Sequence, residues 1–113
     1  MKKIEAIFRP ERLPVVRKAL LEAGYDGLTI TDVRGHGSQK GLEQMYRGEK
    51  FFVDILPKVK VELVVPDAAA SKIVKAIVEG ARTGAIGDGK VFVSNIEDAV
   101  RVRTGESGEK AIS

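Results

Sequence analysis

The residues best suited to chemistry lie in a glycine-rich segment from Thr83 to Lys90. Its glycines permit main-chain conformations that turn successive N–H groups inward to form an anion-binding nest, and Lys90 adds a positive charge where the segment ends. No Lys-Ser or Lys-Thr pair leads from it into a helix, so it is not a Walker A loop. Taken alone, the segment is more typical of a tight turn that only needs glycine, and a phosphate site is the alternative that other residues must support.

Two arginines near the end of the chain strengthen the phosphate hypothesis. Arg101 and Arg103 are two residues apart in a segment, 99–103, that is predicted to be extended, so both guanidinium groups would project from the same side. Two parallel guanidinium forks suit a polyphosphate. A solvated strand edge, which discourages edge pairing, is the alternative explanation.

A second glycine cluster, residues 35–41, opens a long connection. Its glycines would let the main chain approach a ligand, with Gln39 and Lys40 as polar contacts, or would only provide flexibility. His36 has no second histidine or acidic pair at ligand spacing, and Ser38 has no adjacent base, so neither a metal centre nor a nucleophile is predicted. Lys58, at the start of a predicted strand, could pair with a ligand carboxylate.

Length and composition exclude several classes of protein. A chain of 113 residues with 43% hydrophobic and 31% charged residues predicts one folded globular domain. The absence of cysteine excludes disulfides and thiolate chemistry. A net charge of +3 that is well mixed along the chain suggests local anion sites rather than a surface that coats nucleic acid. With no membrane-length apolar run and no signal-peptide pattern, a cytoplasmic location is expected.

Hydrophobic periodicity predicts the elements that must position these residues. Strands are expected at residues 2–9, 27–34, 58–65 and 90–96. Helices are expected at 11–23 and between Asp67, as its cap, and Gly80. This order is typical of the ferredoxin-like βαββαβ sandwich, an α+β fold with an antiparallel four-stranded sheet and both helices on one face. The connection 35–57 is expected to be a long loop, and the polar tail 104–113 is expected to be mobile.

The sheet face away from the helices is predicted to be an oligomer surface. It would carry the apolar residues Ile7, Val33, Val64 and Phe92 among charged ones. This mixture is too apolar for comfortable exposure and too polar for the core of a monomer.

Two long motifs resemble the signature segments of the PII nitrogen signal-transduction proteins. Residues 46–58 read YRGEKFFVDILPK, and residues 83–93 read TGAIGDGKVFV. The opening residues 1–7 and the segment 101–106 also fit. The resemblance therefore covers essentially the whole chain, as one domain with a regulatory loop of about 36–55, a nucleotide loop at 82–90 and the tail 104–113.

The resemblance implies a homotrimer with a nucleotide site in each cleft between neighbouring subunits. The residues that match the family's contacts to ATP or ADP are Ile7, Thr29, Gly37, Ser38, Gln39, Glu62, Val64, Gly87, Asp88, Gly89, Lys90, Arg101 and Arg103. Those that match its contacts to 2-oxoglutarate are Gly37, Gln39, Lys40, Gly41 and Lys58. Gln39 also matches the ligand of a Mg²⁺ ion held together with ATP and 2-oxoglutarate. Ser38 replaces an arginine that many members carry near the phosphates.

The function that the resemblance implies is regulatory rather than enzymatic. The trimer would sense nitrogen, carbon and energy state and control an ammonium transporter through Tyr46, Arg47 and Gly48, recruited to the membrane without inserting into it. Acetylglutamate kinase and nitrogenase regulation are alternative targets. Phe51 stands where nucleotidylated members have tyrosine, and Glu49 where others have a phosphorylated serine, so neither modification is expected.

Two other functions are compatible with the predicted topology. An RNA-binding domain would stack bases on aromatic side chains of the sheet, but the predicted third strand, 58–65, contains none. A small phosphate-ester-processing domain would need a phosphate cradle in the first strand-to-helix turn. That turn contains Arg9 and Arg12 but no glycine nest.

Overall fold

The structure, a computed structural model, describes residues 1–36, 42–46, 49–53 and 55–113, and for 42–46 and 49–53 it describes the main chain alone. The strands in this part of the chain are β1 (Lys2–Phe8), β2 (Thr29–Gly35), β3 (Leu42–Tyr46), β4 (Glu49–Val53), β5 (Leu56–Val65) and β6 (Gly89–Asn95). The α-helices are α1 (Leu13–Glu22) and α2 (Ala70–Ala81). Short 3₁₀ helices span Pro10–Arg12, Asp67–Ala69 and Gly108–Ile112.

The main sheet has four antiparallel strands in the order β2-β5-β1-β6. With the two helices, this confirms the predicted ferredoxin-like βαββαβ sandwich. β1 and β5 occupy the centre, and the glycine-rich segment enters the sheet at the edge strand β6, where Gly89 lies opposite Phe8 of β1.

Strict alternation in the two central strands builds the core. Each alternate side chain of β1, from Ile4 to Phe8, is buried, and the same holds for β5 from Val59 to Val65. Each fully buried aliphatic or aromatic side chain contributes about 1.5–3 kcal/mol. The helices cover this face with their own buried apolar residues, which are Val16, Leu20, Ile73, Ile77 and Ala81.

The start of the second helix differs from the sequence prediction. The Asp67 side chain makes no capping hydrogen bond, and α2 is instead preceded by a 3₁₀ turn at Asp67–Ala69. The carboxylate lies 2.9 Å from the ammonium group of Met1. An ammonium group is a stronger partner for a carboxylate than a main-chain N–H. The contact therefore links the start of β1 to the turn that precedes α2.

The predicted loop 35–57 is not free of regular structure. β3 and β4 pair as an antiparallel two-stranded sheet, with Leu42 opposite Val53 and Tyr46 opposite Glu49, and β5 begins at Leu56 rather than at residue 58. Two residues, 47 and 48, connect β3 to β4. The aromatic and β-branched residues 51–53 carry a strand propensity that would have predicted this hairpin.

The segment 99–103, predicted to be extended, reverses direction instead. The Arg101 N–H donates to the Glu106 carbonyl at 2.8 Å, and the Gly105 N–H donates to the Arg101 carbonyl at 2.8 Å. Arg103 lies in the turn between them, so the two arginines do not project in parallel from a strand. The tail that follows ends in the 3₁₀ helix Gly108–Ile112, more local structure than its polar composition predicted.

In the part of the chain that the structure describes, no helix is long and apolar enough to cross a lipid bilayer.

Candidate functional site

The open face of the sheet, which we define as the side away from the helices, gathers several predicted site residues. Ile7 lies opposite Lys60 of β5 and Lys90 of β6, and Glu62 lies opposite Thr29 of β2. Residues directly opposite in an antiparallel pair share a face. The register therefore places on one face the predicted nucleotide-binding residues Ile7, Thr29, Glu62, Val64 and Lys90.

Glu62 is held on this face by two lysines. Its carboxylate lies 2.9 Å from Lys3 Nζ and 3.4 Å from Lys60 Nζ. The hydrogen bond from Lys3, its positive charge and the contacts of Lys60 hold the pKa of Glu62 below its ordinary value. Glu62 is therefore an anion fixed in position, which suits hydrogen bonding to a ligand's N–H groups rather than contact with phosphate.

The glycine loop, defined here as residues 83–89, is closed by its own carboxylate. Asp88 accepts the N–H groups of Thr83 and Gly84, both at 2.8 Å, and the Thr83 hydroxyl. Arg9 Nε donates to the same carboxylate at 3.1 Å. These hydrogen bonds, those of Thr83 foremost, hold the pKa of Asp88 far below its usual range. In the first half of the loop, the inward-facing N–H groups therefore already bind an anion, which is the carboxylate of Asp88.

Arg9 braces the loop from the end of β1, and sequence reasoning did not assign it this role. Its Nη2 donates to the Ile86 carbonyl at 2.7 Å, in addition to the contact with Asp88. Phe8 is paired with Gly89, so the residue after Phe8 must lie beside the loop. The role of Arg9 beside the glycine loop follows from the pairing of β1 with β6, and a single sequence does not reveal that pairing.

The second half of the loop is arranged differently. In the described part of the chain, the N–H groups of Ile86 and Gly87 have no hydrogen-bond acceptor. The Gly87 carbonyl accepts a hydrogen bond from Lys58 Nζ at 2.7 Å. Burial, and then the charge of Arg9, lower the pKa of Lys58. A half-buried ammonium beside a guanidinium and unused N–H groups is a site that an anion would stabilise.

The two arginines predicted to bind phosphate, Arg101 and Arg103, lie apart from the glycine loop within one chain. No hydrogen bond or ion pair between described residues joins Arg101 or Arg103 to the glycine loop. Arg101 instead contacts the tail, and Arg103 is exposed. A single chain therefore brings together Lys58, Gly87, Asp88, Gly89 and Lys90 but leaves this pair apart.

Several predicted site residues lie outside the described residues, namely Gly37, Ser38, Gln39, Lys40, Gly41, Arg47 and Gly48. Tyr46, Glu49 and Phe51 lie in β3 and β4, where the structure describes the main chain alone. Within the described residues, no group of three His, Cys, Asp or Glu side chains is placed to hold a metal ion.

Asp88→Asn is expected to loosen the glycine loop. The variant loses the charge and one strong acceptor, so hydrogen exchange at the Thr83 and Gly84 amides should accelerate by about tenfold. Because the folded pKa of Asp88 is depressed, its stabilising effect is present above the unfolded pKa of about 3.9 and is lost as pH falls below it. Wild type and variant should therefore differ in thermal stability at pH 7 and converge in acid.

Asp26→Asn is a matched control, since Asp26 is an exposed carboxylate that has no hydrogen bond or ion pair with the loop among the described residues. Unchanged exchange at both amides in Asp88→Asn would show that the glycines alone shape the loop.

The fold and the loop define a class of protein: a small ferredoxin-like domain with a glycine loop at the edge of its sheet. A family model described as "Nitrogen regulatory protein P-II" matches residues 1–106. A P-II protein of Rhodobacter capsulatus is 54% identical over 112 residues, which cover 99% of this chain and 100% of the relative. "Nitrogen regulatory protein P-II 2" of Methanothermobacter thermautotrophicus is 52% identical, covering 99% and 97%.

A solved structure agrees with these sequence relatives. The crystal structure of Arabidopsis thaliana PII bound to citrate superposes with a TM-score of 0.80 at 44% identity, covering 98% of this chain and 88% of that one. The chain belongs to the PII family of nitrogen regulatory proteins. Members of this family are regulatory signal-transduction proteins, which confirms the prediction of a regulator rather than an enzyme.

Proposed function

We propose that this protein is a trimeric sensor of nitrogen, carbon and energy state that binds ATP or ADP and 2-oxoglutarate and controls an ammonium transporter. The observation that carries the proposal is the contact between Lys58 Nζ and the Gly87 carbonyl, 2.7 Å apart. It joins the predicted acid-binding lysine directly to the predicted nucleotide loop. Two ligands bound there would influence each other, as a two-input sensor requires.

The nucleotide is proposed to lie against the open face. Thr29, Val64 and Ile7 would line the nucleotide base. Glu62 would accept a hydrogen bond from the amino group of that base. Lys90 and the N–H groups at Ile86 and Gly87 would hold the phosphates. Asp88, which already closes the first half of the loop, would act by shaping the nest rather than by touching phosphate.

The remaining phosphate contacts are proposed to come from a neighbouring subunit. Arg101 and Arg103 of one chain do not reach its own glycine loop, and the open face carries Phe92 with 52% of its surface exposed. Three chains of 12.2 kDa would cover such apolar surface and bring arginines of one subunit to the loop of the next. The trimer would have a mass of about 37 kDa.

The second ligand is proposed to be 2-oxoglutarate, with its distal carboxylate on Lys58. A carboxylate there would offset both causes that lower the pKa of this lysine, its burial and the neighbouring Arg9. The citrate in the Arabidopsis relative's structure supports a small polycarboxylate as a ligand of this fold. The keto and carboxylate oxygens suit Mg²⁺ coordination, with Gln39 as the protein ligand that the family resemblance implies.

The partner surface is proposed to be the tip of the β3–β4 hairpin. Tyr46 and Glu49 are the last paired residues of the two strands, and residues 47 and 48 lie between them in the sequence. Arg47 would then be presented to the pore of an ammonium transporter, with the protein docked from the cytoplasmic side. Ligand binding at Lys58, which lies on the strand following the hairpin, would change the hairpin's orientation.

Isothermal titration calorimetry tests the proposal. We expect 2-oxoglutarate to bind measurably when MgATP is present, because the nucleotide completes its site. Without MgATP, its affinity should fall by at least tenfold, to below the measurable range. RNA should not bind at moderate salt. Equal 2-oxoglutarate affinity with and without MgATP would contradict the proposed two-input sensor. If light scattering gives the mass of a monomer, about 12 kDa, the proposed site between subunits is wrong.

A further inference from the structure

The Arg101 guanidinium is already occupied by the end of its own chain. Nη1 donates to the Glu106 carboxylate at 3.1 Å. Nη2 donates to two main-chain oxygens, those of Lys110 and Ser113, both at 2.9 Å. These contacts leave 30% of the side chain exposed. We call residues 104–113 the C-terminal strap.

This arrangement blocks the way in which an arginine grips phosphate. A guanidinium offers two forks of parallel N–H groups, Nη1 with Nη2 and Nε with Nη2. Both forks include Nη2, which already donates to two oxygens of the strap. Arg101 therefore cannot form a bidentate contact with a phosphate until the strap leaves.

The strap is attached by few contacts, so its release has a low cost. Besides the Arg101 side chain, one bridge between Val100 and Ser107 and a few main-chain N–H groups hold it. The Arg101 N–H donates to the Glu106 carbonyl and the Gly105 N–H to the Arg101 carbonyl, both at 2.8 Å, and the Gly108 N–H donates to the Ala99 carbonyl at 3.0 Å and to Asp98 Oδ1 at 3.1 Å. None of the strap residues is buried. Exposed segments with few apolar contacts open at a small fraction of the global unfolding free energy.

We propose that the C-terminal strap is an autoinhibitory element that competes with nucleotide phosphates for Arg101. This inference rests on the proposed nucleotide site. The Glu106 carboxylate and the two main-chain oxygens occupy the guanidinium as phosphate oxygens would, and nucleotide binding requires their displacement. Variants that weaken the strap will bind nucleotide more tightly, because less of the binding free energy is spent on opening it.

Two substitutions weaken the strap at different points. Glu106→Gln removes the charge that faces Arg101. Gly108→Val strains the strap turn, because Gly108 has φ +73°, which a β-branched residue adopts poorly. No atom lies within 4 Å of a β-carbon at this position, so the β-carbon itself meets no neighbour. Glu109→Gln is the control, since Glu109 is exposed in the same segment and has no hydrogen bond or ion pair with Arg101 among the described residues.

The readout is the ATP dissociation constant of the full chain by calorimetry. Glu106→Gln and Gly108→Val should each lower it by about two- to fivefold, and the double variant by about tenfold. In an Arg101→Gln background, Glu106→Gln should have no effect, because the competition no longer exists. Glu109→Gln should match wild type.

Unchanged or weaker ATP binding in both strap variants, with wild type binding ATP, would overturn the strap proposal and leave the nucleotide site standing. Weaker binding would mean that the strap orients Arg101 for phosphate. If neither the wild-type chain nor either strap variant binds ATP, the nucleotide site itself is overturned.

Discussion

Lys58→Met is expected to weaken 2-oxoglutarate binding by about 30- to 100-fold while leaving MgATP binding within about threefold of wild type. The lost interaction is a charge-assisted hydrogen bond in a half-buried site, worth about 2–3 kcal/mol. Methionine keeps the length of the side chain, so the packing of the aliphatic stem is retained. Calorimetry with each ligand, at saturating MgATP for the acid, measures both constants.

Lys60→Met is the matched control for this substitution. Lys60 lies two residues further along β5 and has the same charge, but its ammonium lies 3.4 Å from Glu62 and 3.9 Å from Glu5. Its 2-oxoglutarate affinity should stay within about twofold of wild type. Wild-type affinity in Lys58→Met would show that Lys58 does not bind the acid and acts within the chain, as in its hydrogen bond to the Gly87 carbonyl.

The same variant tests control of the transporter. With MgATP and high 2-oxoglutarate, wild type should dissociate from ammonium-transporter vesicles, whereas Lys58→Met should remain bound. A variant that is released like wild type would show that another contact switches the hairpin.

Gly89→Ala is expected to destabilise the protein by at least about 3 kcal/mol, the largest effect of any single methyl group in the glycine loop. A β-carbon at this position would lie 1.9 Å from the Ile7 carbonyl oxygen and 2.9 Å from Phe8 Cα, and φ is +107°. Both close contacts involve the main chain of β1, which cannot move without disturbing the centre of the sheet, and the positive φ adds strain at Gly89 itself. Urea unfolding followed by circular dichroism measures the loss.

Gly84→Ala separates the clash from the strain. Gly84 also has a positive φ, +92°, but no atom lies within 4 Å of its β-carbon position, so the cost should be about 1 kcal/mol. If Gly89→Ala fails to accumulate in soluble form while Gly84→Ala folds, the clash is supported. Equal stabilities of the two variants would contradict it.

Much of the fold could be read from local pattern. Alternation in residues 2–9 and 58–65 predicted β1 and β5 and the faces they bury, because a strand has a period of two whatever it packs against. The two long motifs, at 46–58 and 83–93, identified the family, which the relatives confirm. Lys58 and the glycine loop could be proposed as site elements for the same reason, since residue type and spacing are properties of the chain alone.

Some predictions needed information that a local pattern does not contain. Asp67 was expected to cap α2, but the Met1 ammonium, 66 residues away along the chain, binds it instead. The segment around Arg101 was expected to be extended, but the strap turns it back. Asp67 is bound by a charged group distant in sequence, which is a stronger partner than a local N–H. Arg101 is instead held by side-chain and main-chain oxygens five to twelve residues further along the chain.

The sequence by itself determined which strands alternate, where glycine is needed and which residues carry charge. Only the tertiary structure decided which of those charges meet. The register of β1 against β6 places Arg9 on Asp88, and the packing of β5 places Lys58 on the Gly87 carbonyl. Alternation depends on the geometry of one strand, whereas these contacts depend on how separate strands align, and that alignment is settled by burial of the whole core.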